Sequence, residues 1–162
     1  MIRDCEEADL GGVLDIYNDA VRSTTAIWND SPVDLENRLA WLKDRTSRGF
    51  PVLVAVGEDK VLGYAAYGDW RAWDGYRHTV EHSVYVHRDA RRGGIATALM
   101  TALMERARAD GKHVMVGGIE ASNEASLALH MRLGFERTAH MREVGRKFGR
   151  WLDLVFMQII LN

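Results

Sequence analysis

A chain of 162 residues with 47% hydrophobic and 27% charged residues has the balance of one folded domain, which excludes long disorder. Its net charge of −2 argues against a general nucleic-acid binder, which carries a basic excess to neutralise phosphates. The single cysteine, Cys5, excludes an intrachain disulfide and fits a reducing, cytoplasmic setting, and no apolar run approaches the ~20 residues that span a bilayer.

The acidic, weakly apolar start Met1–Glu7 does not read as a signal peptide and can hold a short strand, Met1–Asp4. Asp9 can cap a helix to about Val21, with Val13, Ile16, Tyr17 and Ala20 on one face. Asp34 can cap a second helix to about Arg48, where Leu35, Leu39 and Leu42 recur and Gly49 closes the pattern. Val52–Val56 and Val61–Tyr67 read as strands around the turn Gly57-Glu58-Asp59-Lys60. Thr79–Val86 is a further strand, rich in β-branched and aromatic residues. Helices follow at Ile95–Ala109, ended by Gly111, and at Glu124–Leu133, ended by Gly134. Strands are expected at His113–Ile119, Phe135–Met141 and Leu152–Leu161. Hairpins first and a strand–helix–strand–helix unit afterwards predict an α/β fold: one domain over 1–162, with a mixed sheet and helices on both faces.

The most informative stretch runs from Val84 to Ala96. A strand enters the basic loop His87–Arg92, then Gly93 and Gly94, then a helix start. The first N–H groups of a helix lack internal partners and face a positive dipole end, so they attract anions. Two glycines let a phosphate approach the backbone, and Arg91 and Arg92 add charge. The plainer reading is a tight turn, but Ser, Thr, Asp or Asn is the usual helix start. Neither a P-loop nor a dinucleotide-binding glycine motif is present: Gly63-x-x-x-x-Gly68 runs into Asp69-Trp70.

Arg91-x-x-Gly94-x-Ala96 resembles the Q/R-x-x-G-x-G/A signature of the GNAT acetyltransferases, which holds the pyrophosphate of coenzyme A. A second block, Asn123-x-x-Ser126-x-x-Leu129-His130-x-x-Leu133-Gly134-Phe135, is similar to that family's later helix. Within the family the chain resembles the phosphinothricin and methionine sulfoximine acetyltransferases. The segments are Ala26-Ile27-Trp28-Asn29, Gly68-Asp69-Trp70-Arg71, His78–Val86, Gly111–Val116 and Val144–Asp153, and the resemblance covers the chain from about residue 24 to residue 158. Two departures are His130, where many members carry Tyr, and Ala96 in place of Gly. The resemblance implies a mostly antiparallel central sheet, acetyl-CoA as co-substrate, no metal, and a homodimer. It places Val84, Tyr85, Val86, Arg91, Arg92, Gly93, Gly94, Ile95, Ala96, Thr97 and Asn123 on coenzyme A.

Acetyl transfer to an amine needs a base, donors for an oxyanion and a proton for the departing thiolate. Glu81 is the candidate base, a carboxylate on an otherwise apolar strand; the plainer reading is an ion pair with Arg71 or Arg77. His130 is the candidate acid, with Tyr85 behind it, and a backbone N–H near Val86 is the implied oxyanion donor. His78 and His82 lie four apart on a strand, which does not make a metal pair. In the loop from Asp69 to His78, Arg71 and Arg77 can bind a carboxylate, while Trp28, Trp70, Trp73 and Tyr76 can shape a side-chain pocket or simply cover the sheet. Trp28, Arg71, Asp74, Gly75, Tyr76, Arg77 and Glu81 are thus the expected acceptor site. The resemblance implies a small L-amino acid as acceptor. A peptide or polyamine amine, or a non-catalytic acetyl-CoA-binding module, are the alternatives. Arg146–Trp151 is expected near a partner's pocket.

Overall fold

The computed structural model describes residues 1–162. Seven strands form one sheet: β1 Ile2–Asp4, β2 Val52–Gly57, β3 Lys60–Asp69, β4 Thr79–Val86, β5 Val114–Glu120, β6 Glu136–Lys147 and β7 Arg150–Ile160. The helices are α1 Leu10–Ser23, α2 Leu35–Ser47, α3 Ile95–Ala109 and α4 Glu124–Arg132. The sheet order is β1-β2-β3-β4-β5-β7-β6, and every pairing is antiparallel except β4 with β5. No helix is long and apolar enough to cross a membrane.

Alternation along β2 and β3 divides the core. Val52, Val54, Tyr64 and Ala66 meet α1 and α2 through Leu10, Val13, Ile16 and Leu42. Leu53, Ala55, Ala65 and Tyr67 meet α3 and α4 through Leu99, Met100, Leu103 and Leu127. Gly63 makes the second layer close: a Cβ there would stand 2.9 Å from the Tyr85 carbonyl and 3.1 Å from Leu99.

The ladder between β4 and β5 is the feature that positions the site. It holds only Thr79–Val114, Val80–Met115 and Glu81–Val116. Beyond Glu81 the strands part, while β4 stays paired with β3 as far as Val86. A wedge therefore opens inside the sheet, with unpaired backbone on its β4 side.

Some expected elements shift. Asp9 does not cap α1; its carboxylate takes two bonds from Arg3, at 2.7 and 2.9 Å, and one from the Glu6 N–H. Asp34 does cap α2, accepting from the Asn37 N–H at 2.9 Å. β6 runs six residues past Met141, with Arg142, Val144 and Arg146 exposed and Lys147 buried, and the chain turns at Phe148 (φ 52°) and Gly149 (φ 74°).

Candidate functional site

A cleft of about 370 Å³ fills the wedge, within the usual size range of small-molecule sites. Its lining includes Trp28 from the α1–α2 connection, Trp70 and Arg71 from the end of β3, Glu81–Tyr85 from β4 and Gly118–Glu120 from β5. Asn123, Ser126 and His130 come from α4, with Leu154 and Phe156 from β7.

Glu81 reaches across the wedge toward Gly118, where a Cβ would be 3.7 Å from Oε2. Burial by the walls raises its carboxyl above the ordinary value, and the positive charges of Arg71 and Arg45 work against that rise. Arg45 comes from α2 and packs on Gly68, the β3 residue paired with Glu81. Arg71 lies over the Trp70 ring, its guanidinium carbon 4.3 Å from the centroid. Trp70 in turn meets Phe156 edge-on at 5.2 Å. A cation, an aromatic wall and a carboxylate thus share one cavity.

His130 is 1% exposed and stacks on His82, 8% exposed, with ring centroids 5.0 Å apart. Its Nδ1 stands 2.7 Å from the Ser126 carbonyl, which can only accept, so Nδ1 carries the proton. Its Nε2 is then an acceptor for the His82 Nε2–H at 3.0 Å. Both His130 nitrogens are engaged, and His82 Nδ1 is left buried without a partner. Burial lowers both imidazoles, His82 to about 3 with His130 as the smaller cause. The pair fits because Gly117 has no side chain; a Cβ there would be 2.7 Å from His82 Nε2. Tyr85 packs on Tyr64 at 5.4 Å, and burial pushes its phenol up to about 12.

The start of α3 lies at the far end of β4. Gly94 takes φ 79° and no side chain caps the helix, which leaves the N–H groups of Ile95, Ala96 and Thr97 without helical partners. A Cβ at Gly94 would meet nothing within 4 Å, so the surface there is open. Arg88 bonds Asp19 of α1, and Arg91 stands 4.0 Å from the same carboxylate. Gly93 and exposed Arg92 (φ 65°) precede Gly94 in this turn, while Val84 and Tyr85 line the cleft. Asn123 caps α4 through Oδ1, accepting from the Ser126 N–H at 3.1 Å. Orphaned helix donors, an uncapped glycine turn and adjacent arginines fit the diphosphate of acetyl-CoA.

Four expected acceptor residues do not line the cleft in this chain: Asp74, Gly75, Tyr76 and Arg77. They form an exposed 3-10 turn in which the Arg77 guanidinium bonds the Asp74 carbonyl at 2.9 Å. Lys112 pins the turn by bonding the Arg77 carbonyl at 2.9 Å. Trp73, 71% exposed, is also outside. Sequence reasoning missed His82, Gly118 and Phe156. The doublet Gly117-Gly118 inside a strand was the available signal, since such glycines mark close approach.

The sequence pattern of the Acetyltransferase (GNAT) family matches residues 13–135. The L-methionine sulfoximine/L-methionine sulfone acetyltransferase of Pseudomonas aeruginosa is 60% identical over 99% of this chain and 94% of its own. Among solved structures, ribosomal-protein-alanine N-acetyltransferase from Brucella melitensis superposes with TM-score 0.98 at 56% identity, covering 99% of both chains. The structure of yncA from Salmonella typhimurium with its cofactor acetyl-CoA gives 0.97 at 54% identity, covering 100% of this chain and 94% of that one.

Proposed function

The chain belongs to the GNAT acetyltransferase family, and from that premise we propose that it acetylates the α-amine of a small L-amino acid such as methionine sulfoximine, methionine sulfone or phosphinothricin. The observation that carries this reading is the shared cleft of Glu81, Arg71 and an aromatic wall, on the strand that leads into the glycine start of α3.

Acetyl-CoA, when bound, supplies the acyl group as a thioester. The free N–H groups of α3, with Gly93, Gly94, Arg91 and Arg92, hold its pyrophosphate; Val84–Val86 and Asn123 flank its arm. Arg71 binds the acceptor carboxylate, and Trp28, Trp70 and Phe156 receive the side chain. Glu81 takes the ammonium proton, directly or through a water, and its raised pKa makes it a stronger base than a free carboxylate. A backbone N–H near Val86, on the strand edge freed by the wedge, donates to the developing oxyanion. The phenol of Tyr85 gives a proton to the departing sulfur. It is favoured over His130, whose two nitrogens are already bonded.

A homodimer, in a cytoplasmic setting, belongs to the same reading. The β6–β7 hairpin exposes Met141, Val144, Phe148 and Trp151, an apolar set suited to a second copy, with Arg146–Trp151 near the partner's cleft. Sedimentation equilibrium returning the monomer mass would remove this part.

The first experiment is thiol release from acetyl-CoA with methionine sulfoximine, methionine sulfone, phosphinothricin, spermidine and a peptide beginning with alanine. The amino acids should be preferred, and amidating their carboxylate should cut kcat/KM sharply by leaving Arg71 unpaired. The peptide is the second reading, favoured by the Brucella likeness. Its preference, or indifference to amidation, would overturn the amino-acid acceptor.

A further inference from the structure

One wall of the cleft has no regular structure. Ala26 and Trp28 lie on the connection between α1 and α2, where neither helix nor strand fixes the backbone. What fixes it comes from the other end of the chain.

Lys147, the last residue of β6, is 3% exposed. Its ammonium donates to the Thr24 carbonyl at 2.6 Å, the Ile27 carbonyl at 2.5 Å and the Ala20 carbonyl at 3.5 Å. An ammonium has three donors and no acceptor, so its whole capacity is spent on this connection and the end of α1. It forms no ion pair with a carboxylate within 4.0 Å, an unusual place for a lysine unless the carbonyls need it.

Two residues earlier, and so on the same face of β6, stands Gly145. The six-membered ring of Trp28 lies against it: a Cβ added there would fall among Cε3 and Cζ3, and 3.0 Å from Cδ2. The other edge of the indole is tied by Nε1–H to the Thr25 carbonyl at 2.8 Å. β6 thus offers this connection a bay and, one step along, a grip. The bulge between Met141 and Gly145, with Glu143 at φ 56°, sets the register that turns both toward it.

We infer that Lys147 and Gly145 are positioning residues for the acceptor: they set where Trp28 stands and therefore the size of side chain the cleft admits. Lys147 immobilises the connection, and the missing Cβ of Gly145 lets the indole lie back out of the cavity. The inference rests on the transfer reaction proposed above, and extends it to residues that line no part of the cleft.

The test is steady-state kinetics on three variants, with alanine and methionine sulfone as the small and large acceptors. In Gly145→Ala the new methyl drives the ring into the cleft. The kcat/KM ratio of large to small acceptor should fall about tenfold, the discrimination typical of one methylene in a pocket. In the Trp28→Leu background the same substitution should change that ratio little, because no ring remains to be displaced. Lys147→Met should raise the acceptor KM by about tenfold, as expected for losing a buried charged donor, and leave the KM for acetyl-CoA unchanged. Should Lys147→Met fail to fold, the Gly145 pair decides alone. An unchanged ratio in Gly145→Ala, or an equal fall with and without Trp28, overturns the inference. If the unaltered chain prefers peptides, the same ratios are read on peptides with small and large first residues. Failure of the amino-acid reading is then seen separately from failure of this one.

Discussion

Glu81 combines two properties that a carboxylate rarely has together: it is open to a cavity, and its surroundings raise its pKa. A carboxylate so placed takes a proton more readily than one in water. As the proposed base it should give kcat/KM an acidic limb, with the rate falling as pH drops through the raised value. Glu81→Gln keeps the size and removes the base. The rate at neutral pH should fall by roughly 10²–10⁴-fold, the limb should vanish, and coenzyme A binding should stay the same. A near-normal rate with the limb intact would make Glu81 a structural partner of Arg71 and Arg45. The engaged nitrogens of His130 carry the same kind of argument. A motif resemblance can mark that residue as part of the site, but only the Ser126 carbonyl and the His82 ring show which nitrogen holds the proton.

At the scale of elements, the turn into α3 supports the sharpest expectation. Gly94 is at φ 79° with open space where a side chain would be. In Gly94→Glu a strained backbone and a negative charge both oppose a diphosphate. Coenzyme A should stabilise the unaltered chain by about 2.7 kcal/mol at a hundredfold excess over Kd, and the variant negligibly. An equal thermal shift in both would place the phosphates elsewhere. This turn was legible in the sequence because β4 and α3 each follow one clean periodicity, and the observed bounds Thr79–Val86 and Ile95–Ala109 match it. β6 was legible only to Met141. In its outer half the inward positions are held by Gly145 and Lys147 rather than by apolar side chains, so no apolar alternation marks it. The loop after Trp70 misled for the opposite reason. Aromatic and arginine residues there suggest a pocket, but a 3-10 turn spends them on solvent and on local carbonyls. Three of the seven expected acceptor residues, Trp28, Arg71 and Glu81, do meet in the cleft, brought there from three separate parts of the chain.

For the molecule as a whole, the buried imidazoles make the fold sensitive to acid. Both His82 and His130 have pKa values lowered by burial, while an unfolded histidine titrates near 6.5. Below that value the unfolded chain binds more protons than the native one, so stability is full above roughly pH 6.5 and declines as pH falls, for His82 toward about 3. Each such proton gives a slope of ~1.4 kcal/mol per pH unit. His82→Gln keeps an N–H donor for His130 and should remove about one proton from that slope, read by urea unfolding at pH 7 and pH 5; equal slopes would exclude the linkage. The three-pair seam between β4 and β5 acts at the same scale. It joins two antiparallel groups of strands, β1–β4 and β5–β7–β6, that share no other ladder. A sheet ordinarily has its unpaired rim on the outside, where it invites other chains to add on. Here a second rim lies inside the sheet, within a wedge that leaves room for a thin extended ligand. Amide protons on that side of β4 should therefore exchange with solvent quickly, while those facing β3 on the same strand are held, until something occupies the gap and completes the ladder.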